Sequence, residues 1–160
     1  MLDANQLADA FDRNVQIIKR QCDGLTHEDS LLQTPFNINS LNWIIGHITD
    51  NRDNVLRLLG VEPAFGDEGA RYRRNSEPVK GEGEGILKLD RLLTILETGQ
   101  AGISTALRNA TPDMLNREVE AMGRKQSIGQ WLFFLYFHDT YHTGQTDLLR
   151  QVAGKNDKII

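Results

Sequence analysis

Two histidines, four residues apart in the last quarter of the chain, form the pattern with the most chemical meaning. His138 and His142 lie in the stretch SIGQWLFFLYFHDTYHTGQTDLLRQV, which begins at Ser127 and has the apolar spacing of a long helix. Residues four apart on a helix have Cβ atoms about 5–6 Å apart. Two imidazoles at that separation can bind one metal ion.

Both histidines continue the apolar stripe of this helix, and so does Gln145. Buried imidazoles without a metal ion would need hydrogen-bond partners in the core. The spacing therefore favours a metal site, and it leaves open that each histidine is hydrogen-bonded in the core or points outward. The stripe consists of Ile128, Trp131, Leu135, Leu149 and Val152.

A third histidine lies on an earlier helical stretch, SLNWIIGHITDNRDNVLRLL, which begins at Ser40. At about 1.5 Å per residue, His47 lies about 10 Å along that helix and His142 about 22 Å along the later one. If the two helices are antiparallel, the histidines lie near the same end of the pair. The sequence thus predicts a site of three imidazoles. His27, in a short capped turn, is expected to be exposed and is not expected to be a ligand.

Four long helical patterns account for most of the chain and predict an all-α fold. Ser127 with Gln130 three residues later predicts a capping box at the start of the last helix. No strand or β-hairpin pattern is evident. Four amphipathic helices of this length predict a four-helix bundle, with residues 1–160 as one domain. The predicted helices run from about Asn5 to Cys22, Ser40 to Leu59, Gly85 to Asn109 and Ser127 to Ala153.

The connection from Val61 to Glu84 is rich in glycine, proline and charge, and it is expected to be a single long loop. A loop of this length can carry the chain back along the bundle, so that the second and third helices run parallel. The other two connections would then join antiparallel neighbours. The expected topology is up-down-down-up, with the long crossover between the second and third helices.

Composition excludes several classes of protein. The formal net charge is −4, which does not predict binding to nucleic acid. No apolar run is long enough for a membrane span, and no signal peptide is evident. The one cysteine, Cys22, cannot form an internal disulfide and is expected to be a small buried apolar group. We therefore expect a cytoplasmic protein.

Two motifs resemble those of the DinB/YfiT-like superfamily of metal-binding four-helix bundles. They are Asn39-Ser40-Leu41-Asn42-Trp43-Ile44-Ile45-Gly46-His47-Ile48 and His138-Asp139-Thr140-Tyr141-His142-Thr143-Gly144-Gln145. The resemblance implies that His47, His138 and His142 bind a metal ion. Phe134 stands where some members carry another histidine, so no fourth protein ligand is evident. The resemblance also implies a homodimer, which the many aromatic residues of the last helix would permit.

Three imidazoles leave at least one position open on a divalent ion such as Zn, Ni or Fe. An open ion can generate hydroxide from water, or deprotonate a thiol. The resemblance implies an enzyme that transfers a low-molecular-weight thiol to an electrophilic small molecule. The alternatives are a metal-dependent hydrolase and a non-catalytic metal-binding or stress-response bundle that acts through dimerisation.

Helical spacing suggests which residues surround the metal site. Asp50 and Asn51 lie three and four residues after His47, and Gln145 lies three after His142. A metal-bound histidine usually donates its other N–H to such a group, although Asp50 and Asn51 could equally face solvent. Asp139 and Thr140 are expected to lie off the core stripe. Three arginines in the long loop could bind an anionic cofactor or be solvated: Arg71, Arg73 and Arg74.

Overall fold

The computed structural model describes residues 3–159, which form a mostly helical fold with one small β-hairpin. The expected all-α character is therefore confirmed, apart from the hairpin. Caps predicted at Ser40 and Ser127 are present, and Ser127 forms the capping box with Gln130. The long helices are α1 (Ala4–Cys22), α3 (Leu41–Leu58), α4 (Leu89–Arg108) and α6 (Ile128–Val152), and the short ones are α2 (His27–Ser30) and α5 (Pro112–Asn116).

Each long helix packs against two others. Helix α1 contacts α4 and α6, and α3 contacts the same two helices. The chain therefore places α1 opposite α3 and α4 opposite α6, so the expectation that these two pairs are adjacent neighbours is wrong, whereas α3 and α4 are adjacent. The physical reason is that α2 and α5 lengthen these connections, which lets the chain cross to the opposite side.

The core is divided into two apolar clusters, one toward each end of the bundle. One cluster joins the C-terminal parts of α1 and α6 to the N-terminal parts of α3 and α4. The second cluster joins the opposite parts of the same four helices. Their fully or almost fully buried members include Ile18, Ile45, Leu92 and Leu149 in the first cluster and Phe11, Leu56, Ile103 and Leu132 in the second.

A buried polar layer lies between the two clusters and links all four long helices. Arg52 donates to both carboxylate oxygens of Asp139, at 2.8 and 3.2 Å, and to Oε1 of Gln100 and the carbonyl of Phe11. Asn14 donates to the same carboxylate at 2.7 Å. Asp139 is only 2% exposed, so the expectation that it lies off the core stripe is wrong. Its charge is accepted in the core because Arg52 neutralises it.

The crossover between α3 and α4 is more ordered than a single loop, because it contains a 3₁₀ helix at Gly66–Tyr72. Its start is fixed by Asp53, whose carboxylate accepts three backbone N–H groups at 2.8–3.1 Å. Its end is fixed by Tyr72, which is fully buried. A Cβ added at Gly46 would lie 2.2 Å from the Tyr72 ring. Only glycine therefore lets the 3₁₀ helix approach α3 this closely.

A short antiparallel hairpin precedes α6 and corrects the expectation that no strand is present. Its strands are β1 (Glu118–Ala121) and β2 (Arg124–Ser127). Met122 and Gly123 join them with φ angles of 54° and 72°, as a two-residue type I′ turn requires. Four-residue strands of mostly polar side chains have too little alternation to be seen in the sequence. Within residues 3–159, no helix is long and apolar enough to cross a membrane.

Candidate metal centre

The structure brings together the three histidines that the sequence predicts as ligands. One ring nitrogen from each of His47, His138 and His142 lies within 4.8 Å of the other two. The Nε2 atoms of His138 and His142 are 3.2 Å apart. The ring of His47 lies 5.2 Å from that of His138 and 5.0 Å from that of His142, centroid to centroid. Helices α3 and α6 thus supply one compact cluster of imidazoles.

The hydrogen bonds of His47 and His142 determine which ring nitrogen of each histidine carries the proton. Nδ1 of His47 lies 2.9 Å from the Tyr72 carbonyl, and Nδ1 of His142 lies 2.6 Å from Oε1 of Gln145. Carbonyl oxygens only accept hydrogen bonds, so both Nδ1 atoms carry the proton. Each Nε2 atom then carries a lone pair, which is the form that binds a metal ion.

His138 contributes the third imidazole of the cluster. Its Nδ1 atom is buried and has no hydrogen-bond partner among residues 3–159. Its Nε2 atom faces the lone pair of His142 across 3.2 Å, a repulsive contact unless a proton or cation lies there. Nitrogens bound to one tetrahedral Zn²⁺ at about 2.0–2.1 Å are about 3.3 Å apart. The three residues therefore fit a divalent ion.

Burial keeps all three imidazoles neutral. It lowers the pKa of His47 to about 4, and the neighbouring His142 and His138 also contribute to this shift. The pKa of His138 is lowered by burial and by His142, and that of His142 by burial. Metal ions bind neutral imidazole, so the site does not have to lose protons near neutral pH before it binds one.

The imidazoles face an open cleft of about 620 Å³. One part of its wall is polar, and the opposite part is apolar. Trp43 stacks on the His47 ring, with the centroids 4.5 Å apart, and limits the ring's movement. The other residues that line the cleft are Asp50, Asn51, Asn54, Arg74, Met122, Trp131, Phe134 and Leu135. A small molecule can therefore reach the nitrogens without any rearrangement of the helices.

The three residues predicted to surround the site differ in whether they contact the histidines. Gln145 accepts the hydrogen bond from His142 described above. Asn51 donates to the His47 carbonyl at 2.9 Å, and its Nδ2 atom lies 3.2 Å from Nε2 of His47. Asp50 lines the cleft but makes no hydrogen bond to the three histidines; its carboxylate lies 3.9 Å from Nε of Arg73. Burial raises the pKa of Asp50.

Two residues of the crossover contribute to the site: Tyr72, which the sequence did not predict, and Arg74, one of the three loop arginines that the sequence offered as a binding group for an anionic cofactor. Tyr72 supplies the carbonyl that orients His47, and Arg74 lines the cleft. Of the three loop arginines, Arg71 instead donates to the carbonyls of Glu77 and Pro78 within the loop. The arginine cluster was the only sequence clue to Arg74. No periodicity indicates a backbone carbonyl such as that of Tyr72.

His27 and Cys22 lie outside the cluster. His27 is half-buried rather than exposed, because its Nδ1 atom accepts the first backbone N–H of α4, from Leu89, at 3.2 Å. The ring also lies 3.1 Å from the Glu82 carboxylate. Burial raises the pKa of the Cys22 thiol to about 12, which keeps it protonated and unreactive.

Comparison with known proteins gives a family to which this geometry can be related. The sequence model of the DinB superfamily matches residues 8–146. The chain belongs to the DinB superfamily. DinB-like proteins are generally metal-binding, and the three-histidine cluster is the possible metal site of this member.

A solved structure supports the DinB fold over almost the full chain. The crystal structure of a conserved protein from Enterococcus faecalis superimposes with a TM-score of 0.76, covering 97% of this chain and 99% of that one. The sequence identity is 15%, so the likeness concerns the fold alone. No curated protein matches the chain.

Proposed function

We propose that His47, His138 and His142 bind one divalent metal ion, Zn, Ni or Fe, in a single domain that spans the chain. The observation that carries this proposal is the cluster of three ring nitrogens within 4.8 Å of one another beside an open cleft. No fourth protein ligand joins the cluster among residues 3–159. A small-molecule substrate would therefore have direct access to the site.

The reaction that best fits this cleft is the transfer of a low-molecular-weight thiol to an electrophilic small molecule. A bound divalent ion would hold the thiol in its nucleophilic, deprotonated form. Arg74 lines the cleft, and its charge is available to an anionic thiol. Trp131 and Phe134 provide an apolar wall for the electrophile.

Metal-dependent hydrolysis is the second candidate, and Asp50 favours it. Its carboxylate lines the cleft, and burial raises its pKa toward the range of a general base. A non-catalytic metal-binding or stress-response bundle that acts through dimerisation is the third candidate. The access from solvent to the imidazoles argues for chemistry over this last role, because closed sites are typical of structural metals.

The topology and the quaternary structure belong to the same proposal. The up-down-down-up order is supported by the two core clusters, each of which joins one end of α1 and α6 to the other end of α3 and α4. We also propose a homodimer, supported by the exposed aromatic side chains of α6.

The first test is metal content in protein purified without an affinity tag. We expect about one ion per chain in the wild type and almost none in His142→Ala, since three-ligand binding fails when one ligand is lost. The matched control is His27→Ala, which removes a histidine outside the cluster and should leave the stoichiometry unchanged. Absence of metal uptake by the wild type from added Zn²⁺ or Ni²⁺ would overturn the proposed site.

The second test distinguishes thiol transfer from hydrolysis. We expect 3-mercaptopropionate to change the visible absorption spectrum of the cobalt-loaded protein at lower concentration than neutral 2-mercaptoethanol does. Arg74→Gln should remove that difference, whereas Arg73→Gln, the matched control, should preserve it. A spectrum that neither thiol alters, together with hydrolysis that requires Asp50, would favour the hydrolase.

A further inference from the structure

The outer face of α6 carries a continuous row of apolar groups that no residue within 3–159 covers. Its large members are 40–61% exposed. They recur every three or four residues, so they share one side of the helix over about five turns. We call this row the outer stripe; it consists of Phe133, Phe137, Tyr141, Gly144, Leu148 and Val152.

The same face lacks charge along its whole length. Between Ile128 and Val152, all of which the structure describes, no Asp, Glu, Lys or Arg side chain is exposed. Asp139 and Arg150 are buried, and Asp147 is half-buried, where it accepts a hydrogen bond from Gln21. A partner could therefore cover this face without burying an unpaired charge, which is the main cost of burying a surface helix.

The order of side chains in the outer stripe is self-complementary. In an antiparallel pair of identical helices, residues equally distant from the two-fold axis lie opposite each other. An axis midway between His142 and Thr143 places a large group opposite a smaller one at every level. The resulting pairs are Phe133 with Val152, Phe137 with Leu148, and Tyr141 with Gly144.

Gly144 provides the space that the central pair needs. A Cβ added at this position would have no atom within 4 Å. The Tyr141 ring, 61% exposed, can lie over the bare backbone of Gly144 in the other copy. Helices approach each other closely where a glycine faces a large side chain, because no second side chain holds them apart.

We propose that two copies of this chain pair through antiparallel α6 helices, with Tyr141 of each copy over Gly144 of the other. The proposed function includes a homodimer, and this interface names its contact surface. The interface does not depend on the metal ion. Half-exposed aromatic and aliphatic side chains of this size contribute about 100 Å² each. The stripe would thus bury about 1,000 Å² over both copies, which is near the lower limit for a specific interface.

The pairing would also restrict the movement of a side chain in the metal site. The Tyr141 ring packs edge-on against the His142 ring, with the centroids 5.2 Å apart. The second copy would immobilise Tyr141 and, through it, the imidazole of His142. The cleft would stay open, because none of the outer-stripe residues lines it.

Sedimentation equilibrium on wild type and two single variants tests the interface. We expect a dimeric wild type, and at least a 100-fold weaker dimer for Phe137→Glu, which places a charge in the apolar stripe. The matched control is Phe36→Glu, which changes a loop phenylalanine that is 74% exposed. A monomeric wild type would overturn the homodimer and this interface together. A dimer that Phe137→Glu does not weaken would overturn the interface alone.

Cross-linking tests the register. Phe137→Cys and Leu148→Cys proteins are mixed and oxidised with diamide; the native Cys22 is buried and does not compete. We expect a disulfide-linked dimer in the mixture and little in either protein alone, since Phe137 of one copy lies about 16 Å along the axis from Phe137 of the other. That separation is too long for a disulfide. Equal cross-linking in a single-variant sample would contradict the antiparallel register.

Discussion

At the scale of single residues, the three histidines differ in what orients them. Gln145 lies one helical turn after His142, so its contact with the ring follows from sequence spacing. The Tyr72 carbonyl that orients His47 comes from 25 residues away. Sequence spacing therefore predicted the cluster and one of its supports. It could not predict Tyr72, because a backbone carbonyl carries no residue-specific signal.

We expect Gln145→Met to weaken metal binding by about 10- to 100-fold, because His142 loses the hydrogen bond that fixes its tautomer and orientation. Competition with a fluorescent zinc chelator measures the affinity. The control is Gln151→Met on the same helix, where the amide bonds only to half-buried Asp147. Equal affinity in the two variants would show that the Gln145 contact has no effect on the site.

At the scale of secondary-structure elements, α6 shows why an apolar pattern can mislead. The predicted stripe included Trp131 and Val152, but Val152 is 40% exposed. Three of the five stripe residues are buried as predicted, and the side that faces the core also contains Leu132, Asp139 and Thr143. Because α6 is apolar on both its inner and outer faces, the sequence contains two overlapping stripes. Periodicity predicted the helix and its ends but could not indicate how far the buried face extends around the helix.

The contact between α3 and the 3₁₀ helix leaves no space for a side chain at Gly46. We expect Gly46→Ala to lower the free energy of unfolding by about 1–3 kcal/mol, because the new methyl group overlaps the Tyr72 ring. Displacement of Tyr72 should also weaken metal binding, since its carbonyl orients His47. Urea unfolding and metal competition measure the two effects.

Gly99→Ala is the matched control for this change. Gly99 also lies within a helix, but a Cβ there would meet Ala64 at 3.6 Å, an ordinary contact. Alanine is a better helix former than glycine by about 1 kcal/mol. The control variant should therefore be unchanged or more stable. If Gly46→Ala behaves in the same way, the close approach of Tyr72 is not required.

At the scale of the whole molecule, buried polar groups make stability depend on pH. The pKa of His47 falls from its usual 6.5 to about 4 on folding, so the unfolded chain binds more protons between these values. Stability therefore rises with pH in this window and is lost as the pH falls toward 4. The full effect of His47 is on the order of 3 kcal/mol.

We accordingly expect the metal-free protein to unfold at lower urea concentration at pH 4.5 than at pH 7. His47→Asn should make this dependence shallower, because the variant cannot take up that proton on unfolding. Circular dichroism during urea titration at several pH values measures both curves. Parallel curves for wild type and variant would show that His47 does not contribute to the acid sensitivity.

The four long helices were predictable as a bundle, but the polar layer at its centre was not. Nothing in the local sequence around Arg52 indicates its role, because its partners lie on the other three long helices. Sequence patterns describe one helix at a time, whereas this network depends on how the helices are arranged. The same reason explains the error over Asp139, whose burial depends on Arg52.

The polar layer has a consequence for how the chain is synthesised. Arg52 and Asp139 are separated by 87 residues, and Asp139 belongs to α6, the last of these four long helices to leave the ribosome. Until that helix emerges, the guanidinium group has no carboxylate and gains more from water than from burial. The first three long helices therefore have an electrostatic reason to remain loosely assembled during translation. The centre of the bundle closes only when α6 arrives.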